Sequence, residues 1–242
     1  MATSAELFVL IGAMDIEIDE YKKHLKNTVQ REWKGFVFYE GELAGKQVVV
    51  VKSGIGKVFA AMITQKLIDT YSPSHVIFTG VAGALNPAYE IGDVIISKDC
   101  IQHDMDVTAL GFDRGTIPYT NYNYFDADSS LLKRALSAKI AHPIYEGRIL
   151  TGDQFLAKAS LLDSKYLIDE LKGDAIEMEG AAVAQVCTIN ELPFLIVRTI
   201  SDKANEAAST DFNSLLPEIA NNSFLIVQHI LQDGKVDLIS KI

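Results

Sequence analysis

A chain of 242 residues, 48% hydrophobic and 22% charged, has core material for one large domain, and no shift in composition divides it. The net charge of −10 excludes sequence-independent binding to a nucleic-acid backbone, which needs the opposite sign, but an uncharged nucleoside would meet no repulsion. No apolar stretch reaches membrane-spanning length, and the first residues lack a basic region leading into an apolar one. The two cysteines, Cys100 and Cys187, lie far apart beside apolar neighbours. These features predict a cytoplasmic protein with reduced core thiols and no membrane association.

In chain order, residues 7–11 predict a buried strand ending at Gly12. Residues 36–42 and 46–52 flank Ala44 and Gly45, a hairpin signal. Residues 58–70 read as a helix, and residues 75–79 as a buried strand stopping at Gly80. Further strands are predicted over 93–97, 144–150 and 194–200, with helices over 131–140 and 179–189. A last helix is expected over 211–232, capped by Ser209 or Thr210, with Phe212, Leu216, Ile219, Ser223, Ile226 and Ile230 near one face. Pro217 either starts its regular part or kinks it. Buried strands interspersed with helices predict an α/β fold with a largely parallel or mixed sheet. The expected architecture is a single domain over 1–242, a three-layer α/β/α sandwich with a central mixed sheet. In such folds ligands bind at the carboxyl ends of strands.

Those ends read Gly12-Ala-Met-Asp-Ile-Glu17, Ser53-Gly-Ile-Gly-Lys57, Thr79-Gly-Val-Ala-Gly83, Gly152-Asp-Gln-Phe155 and Ile200-Ser-Asp202. Glu177-Met-Glu179 adds a pair of carboxylates where a short apolar segment turns into a helix. The glycine-rich turn at 53–57 has the spacing of neither a Walker loop nor a dinucleotide fingerprint. With no such fingerprint after the first strand, a Rossmann oxidoreductase is disfavoured. His75, His103, His142 and His229 have no metal-ligand spacing, so neither metal nor cofactor is expected. Read singly, Asp202 could cap a turn, Glu179 could be a solvated first-turn carboxylate, and Phe155 could be core.

Together the motifs have the order and spacing of a family. From Leu7 to about Leu231 the chain resembles the bacterial 5'-methylthioadenosine/S-adenosylhomocysteine nucleosidases of the nucleoside phosphorylase superfamily. The resemblance is carried by Ile11-Gly-Ala-Met-Asp-Ile-Glu17, Lys52-Ser-Gly-Ile-Gly-Lys57, His103-Asp-Met-Asp-Val107, Ala175-Ile-Glu-Met-Glu179, and Ser201-Asp202 after Arg198. It implies that Asp202 is the general acid to the purine, a role that requires a protonated carboxyl. Glu179 would accept hydrogen bonds from the ribose diol, kept charged by the helix start near Met178. Met178 would pack beneath the sugar and Glu17 would orient or deprotonate the attacking water. Phe155 would stack on adenine, and the Leu156 backbone would read its Watson–Crick edge. Val81, Ala82, Gly83, Ser201 and Arg198 complete the implied substrate shell. Met14, Ile55, Val107 and Phe212 would line the 5' end.

Hydrolases and phosphorylases share this fold, so the choice rests on residues. Phosphate binding calls for Arg side chains and hydroxyls. The first strand end instead offers Asp15, Glu17, Asp19 and Glu20, with no Arg before Arg31, and Val81 presents no hydroxyl. Many members of the family have Ser where this chain has Val81, and some members with Val also process 6-amino-6-deoxyfutalosine. A purine nucleoside phosphorylase and a non-catalytic nucleoside-binding module are the alternatives. Leu110, Ile117 and Pro118 are apolar residues in an acidic chain, within a segment that in the family closes a partner's 5' pocket. A homodimer binding a small adenine nucleoside is therefore expected.

Overall fold

The computed structural model describes residues 6–156, 165–203 and 212–232, with the backbone path alone for 203 and 212–219. Its elements are β1 (Leu7–Gly12), α1 (Asp15–His24), β2 (Lys26–Trp33), β3 (Phe36–Leu43), β4 (Lys46–Lys52), α2 (Lys57–Tyr71), β5 (His75–Ala84) and β6 (Val94–Gln102). There follow a 3-10 turn (Thr108–Leu110), β7 (Phe125–Asp126), α3 (Ser129–Leu136), β8 (Ile144–Thr151) and α4 (Tyr166–Asp169). The last are β9 (Ala175–Glu177), α5 (Gly180–Ile189), β10 (Phe194–Lys203) and α6 (Phe212–Leu231). Among the described residues no helix is long and apolar enough to cross a membrane.

The strands form one mixed sheet in the order β10–β6–β8–β9–β5–β1–β4–β3–β2. Because β10 also pairs with β5, the strands β5, β10, β6, β8 and β9 close on one another. β1 runs parallel to β4 and β5, whereas β2, β3 and β4 form an antiparallel meander. Successive β1 residues go to different clusters: Val9 and Ile11 pack with Ala60, Ile63 and Ala181, while Phe8 and Leu10 pack with Ile18, Leu131 and Ile226. With both faces covered, this strand reads as an unbroken apolar run rather than an alternation. The expected 36–42/46–52 hairpin is present, its turn made by Ala44 (φ 51°) and Gly45 (φ 79°), the positive-φ pair of a two-residue type I′ connection. Cys100 and Cys187 are buried free thiols.

Several boundaries differ from expectation. β5 does not stop at Gly80 but continues to Ala84, and β10 runs past Ile200, because their carboxyl halves pair with each other. β6 extends to Gln102 and α3 ends at Leu136, short of 140. α5 starts at Gly180, which makes Glu179 its N-cap rather than a residue inside its first turn. α6 continues through Pro217, which is its sixth residue and removes one intrahelical donor without ending the helix. Ser223, Ile226 and Ile230 on α6 are buried as expected, whereas Ser209 and Thr210 and the side chains of Phe212, Leu216 and Ile219 lie outside the described residues. β2 was not expected: seven of its eight residues are exposed, so it has no apolar period.

Candidate active site

A cavity of about 260 Å³ opens where β1, β5, β9 and β10 end. Its floor begins at the β1–α1 junction. A side chain at Gly12 would collide with Glu17 and Ile18, so the chain can turn there only as glycine. Glu17, three residues past the N-cap Met14, folds back and accepts from the amides of Ala13 (2.6 Å) and Met14 (2.9 Å). This is the return half of a capping box, formed inside the cavity wall. Its other oxygen accepts from the Val81 amide at 3.3 Å. Burial raises the Glu17 pKa against the opposing pull of Arg198 and these amides.

Two further carboxylates flank Met178. Glu177 accepts from both the Gly180 amide (2.8 and 2.9 Å) and the Glu179 amide (3.1 Å), and from the Thr151 hydroxyl and the Arg198 guanidinium. Glu179 accepts from the Gly56 amide at 2.8 Å and lies 3.7 Å from Arg198 Nη2. Burial, and after it the neighbouring Glu177 charge, pushes the Glu179 pKa up to about 7. The helix start therefore does not hold Glu179 at an ordinary value; α5's first free amide is already taken by Glu177. Glu179 is buried rather than a solvated first-turn residue.

Asp202 is not a turn cap but lies within β10. Between Ile200 and Asp202 the β10–β5 register shifts, so Ser201 is an extra residue opposite Ala82 and Gly83. A regular strand would send successive side chains to opposite faces; the bulge lets both Ser201 and Asp202 line the cavity. Asp202 accepts from Ser201 Oγ at 2.9 Å, and burial raises its pKa.

Met14, Ile55, Val81, Ala82 and Gly83 also line the cavity, as do Phe155, Leu156 and Met178. Phe155 is 67% exposed, which excludes a core role. The structure corrects the expectation for Arg198. Arg198 is 1% exposed but does not line the cavity; it lies behind the carboxylates, over the Phe78 ring at 4.4 Å. Gly80 makes room for it, since a side chain there would collide with Arg198 and Glu17. Val107 and Pro118, expected to close a partner's pocket, do not line the cavity of their own chain, and Ile117 packs on the chain's own core. The carboxylates Asp15, Asp19 and Glu20 pair with Lys52, Lys22 and Lys23 at 2.6–2.9 Å, leaving only Glu17 from this segment turned inward. The structure adds Gln154, Ile176 and Glu177 to the lining. Glu177 was visible in its motif, but its anchors Thr151 and Arg198 are far away in sequence.

Among the described residues the lining thus contains four carboxylates, Glu17, Glu177, Glu179 and Asp202, and no Lys or Arg. Such a surface accepts protons and hydroxyl donors and rejects anions.

The family model of the phosphorylase superfamily matches residues 7–232. The 5'-methylthioadenosine/S-adenosylhomocysteine nucleosidase of Psychromonas ingrahamii is 38% identical over 93% of this chain and 97% of its own length. The crystal structure of the Neisseria meningitidis nucleosidase of the same name, in complex with methylthio-immucillin-A, superposes with a TM-score of 0.88 at 36% identity, covering 94% of this chain and 99% of that one. A futalosine hydrolase structure from Helicobacter pylori gives 0.85 at 30% identity over 93% and 97%. The chain belongs to the phosphorylase superfamily and, within it, to the 5'-methylthioadenosine/S-adenosylhomocysteine nucleosidases.

Proposed function

We propose that this chain hydrolyses the N-glycosidic bond of 5'-methylthioadenosine and S-adenosylhomocysteine, releasing adenine. In the proposed reaction water attacks C1', the C1'–N9 electron pair passes into the purine, and Asp202 delivers its proton to N7. Glu17 takes the water proton, and Glu179 holds the 2' and 3' hydroxyls. Phe155 stacks on the base, the Leu156 backbone reads its edge, and Met178 lies under the sugar. Ser201 and the backbone of Val81, Ala82 and Gly83 border the reacting centre, while Arg198 acts from behind by holding the carboxylates. Met14 and Ile55 receive the methylthio group, with Val107, Pro118 and Phe212 as further contributors from a partner chain or the last helix.

The observation that carries this reading is the lining itself: among the described residues, four carboxylates without a cation, with burial raising the pKa of Asp202. A phosphate nucleophile or a 5'-phosphate would have to be desolvated there unpaired. Hydrolysis is therefore favoured over phosphorolysis. Val81 provides no hydroxyl beside the sugar, which makes 6-amino-6-deoxyfutalosine a further candidate substrate. We also infer a three-layer α/β/α sandwich forming one domain over 1–242, located in the cytoplasm and assembled as a homodimer. The exposed apolar side chains of Val58 (77% exposed), Phe59 and Met62 on α2, and of Leu110 in the segment after β6, support the dimer. Free adenine should be released from the three nucleosides without phosphate and at unchanged rate when phosphate is added, with AMP inert. A phosphate requirement, or AMP cleaved as fast as methylthioadenosine, would overturn the reading.

A further inference from the structure

The purine-facing loop at 152–156 is fastened to the rest of the site by a group outside the cavity. After β8 the chain is first fixed at Gly152, whose amide donates to Glu177 O at 3.1 Å and whose Cα faces the His103 ring too closely to admit a side chain. At the next residue the fastening becomes ionic. The Asp153 amide donates to Asp104 Oδ2 at 3.0 Å, and Asp153 Oδ1 accepts from the Lys57 amide at 2.9 Å. The Lys57 ammonium lies between the two acids, 2.7 Å from Asp104 Oδ1 and 3.9 Å from Asp153 Oδ2, and also donates to Gln102 Oε1 at 3.3 Å. Burial opposes the charge of Asp104, yet Lys57 and the Asp153 amide hold its pKa below the ordinary value.

The same turn serves the sugar side. The Gly56 amide is donated to Glu179, and the next amide, that of Lys57, to Asp153. Two successive peptide units, joined at Gly56 at the start of α2, thus set the spacing between the ribose carboxylate and the loop bearing Phe155. Gly56 has a φ of 96°, so the pair of adjacent amides depends on a conformation that L residues rarely adopt.

We infer that Lys57 is a positioning residue for base recognition: through Asp104 and Asp153 it holds the 152–156 loop at the distance from Glu179 that a nucleoside spans. A base held alike in ground and transition state contributes uniform binding, so loosening it acts on KM more than on kcat. The inference rests on the proposed reading for its substrate but not for the fastening, and two measurements separate them. In ligand-free protein, Lys57→Met should speed amide exchange in a peptide covering 152–156 by about tenfold while leaving β1 unchanged. In turnover of methylthioadenosine it should raise KM about tenfold with kcat within about threefold, and Lys57→Arg should recover much of the loss. Unchanged exchange at 152–156, or exchange accelerated equally in β1, would overturn the inference. A kcat loss as large as the KM change would also overturn it. Altered loop exchange in a protein whose wild type never releases adenine would retain the fastening and reject the proposed substrate.

Discussion

Glu17, Glu179 and Asp202 are all raised by burial, but they differ in what opposes it. Glu17 has three amide donors and the Arg198 charge, and Glu179 has the Gly56 amide and Arg198. Among the described residues Asp202 has the Ser201 hydroxyl alone. Glu17 and Glu179 are thus held by amide donors and a cation that favour the anion, whereas Asp202 has neither an amide donor nor a cation among its described partners. A carboxyl so placed suits the proton-donor role proposed for Asp202. Asp202→Asn keeps the side chain's size and can still hydrogen-bond but has no proton to transfer to the leaving group. It should lower kcat about 10²-fold to 10⁴-fold with KM changed far less, measured by steady-state adenine release. A variant keeping half its kcat would remove Asp202 from the acid role.

Among the elements, those with an apolar signal were legible. β1, β4 and the helix at 57–71 bury runs or stripes that composition alone reveals, and Ala44-Gly45 announces the β3–β4 turn. β2 was not legible, because an exposed edge strand held by pairing to β3 need not alternate. The end of β5 is hidden because Gly80 reads as a stop; it is small to admit Arg198, a requirement set by a residue more than a hundred positions away. The candidate site was legible as motifs, but the burial of Arg198 and the anchoring of Glu177 are tertiary facts. α2 also makes a testable surface. Val58 has few contacts to lose within its own chain, so Val58→Asp should leave the fold's melting temperature within a few degrees. It should nevertheless shift sedimentation from dimer toward monomer and reduce activity at low protein concentration. A wild-type chain that sediments as a fully active monomer would refute the assembly.

At the scale of the whole molecule, the site is a local destabilisation within a well-packed frame. The Glu179 pKa is about 7 in the folded protein against an ordinary 4.5. The native state therefore keeps a proton that the unfolded chain releases between those values. This group's contribution to stability is greatest below about pH 4.5, declines through pH 7 and is level above, a loss on the order of 3 kcal/mol. Glu17 and Asp202, also raised, act in the same direction. Glu179→Gln should consequently unfold at higher urea than wild type at pH 8 and at nearly the same urea at pH 5, while losing activity on ribosides. Equal urea midpoints for the two proteins at pH 8 would show that the carboxylate carries no such penalty. A bound diol, donating to the same oxygens, should recover part of that stability in the wild type alone.

The register shift in β10 makes residue number itself a variable of the chemistry. Ser201 contributes one hydroxyl, but it also supplies the odd residue that turns Asp202 inward. A substitution at 201 changes a contact, whereas a one-residue insertion after it reverses the facing of every later position in the strand. Ser201→Ala should keep measurable turnover, since Asp202 still faces the cavity. One alanine inserted between Ser201 and Asp202, with a single residue still bulged, takes the place of Asp202 and turns Asp202 away; the protein should keep its circular dichroism but release no adenine. If the insertion mutant folds and turns over as fast as Ser201→Ala, the register shift is not what aims the acid. For a lineage carrying this fold, codon insertions near 201 would then be filtered more severely than point changes, and variation in strand length should be confined to the far edge at β2.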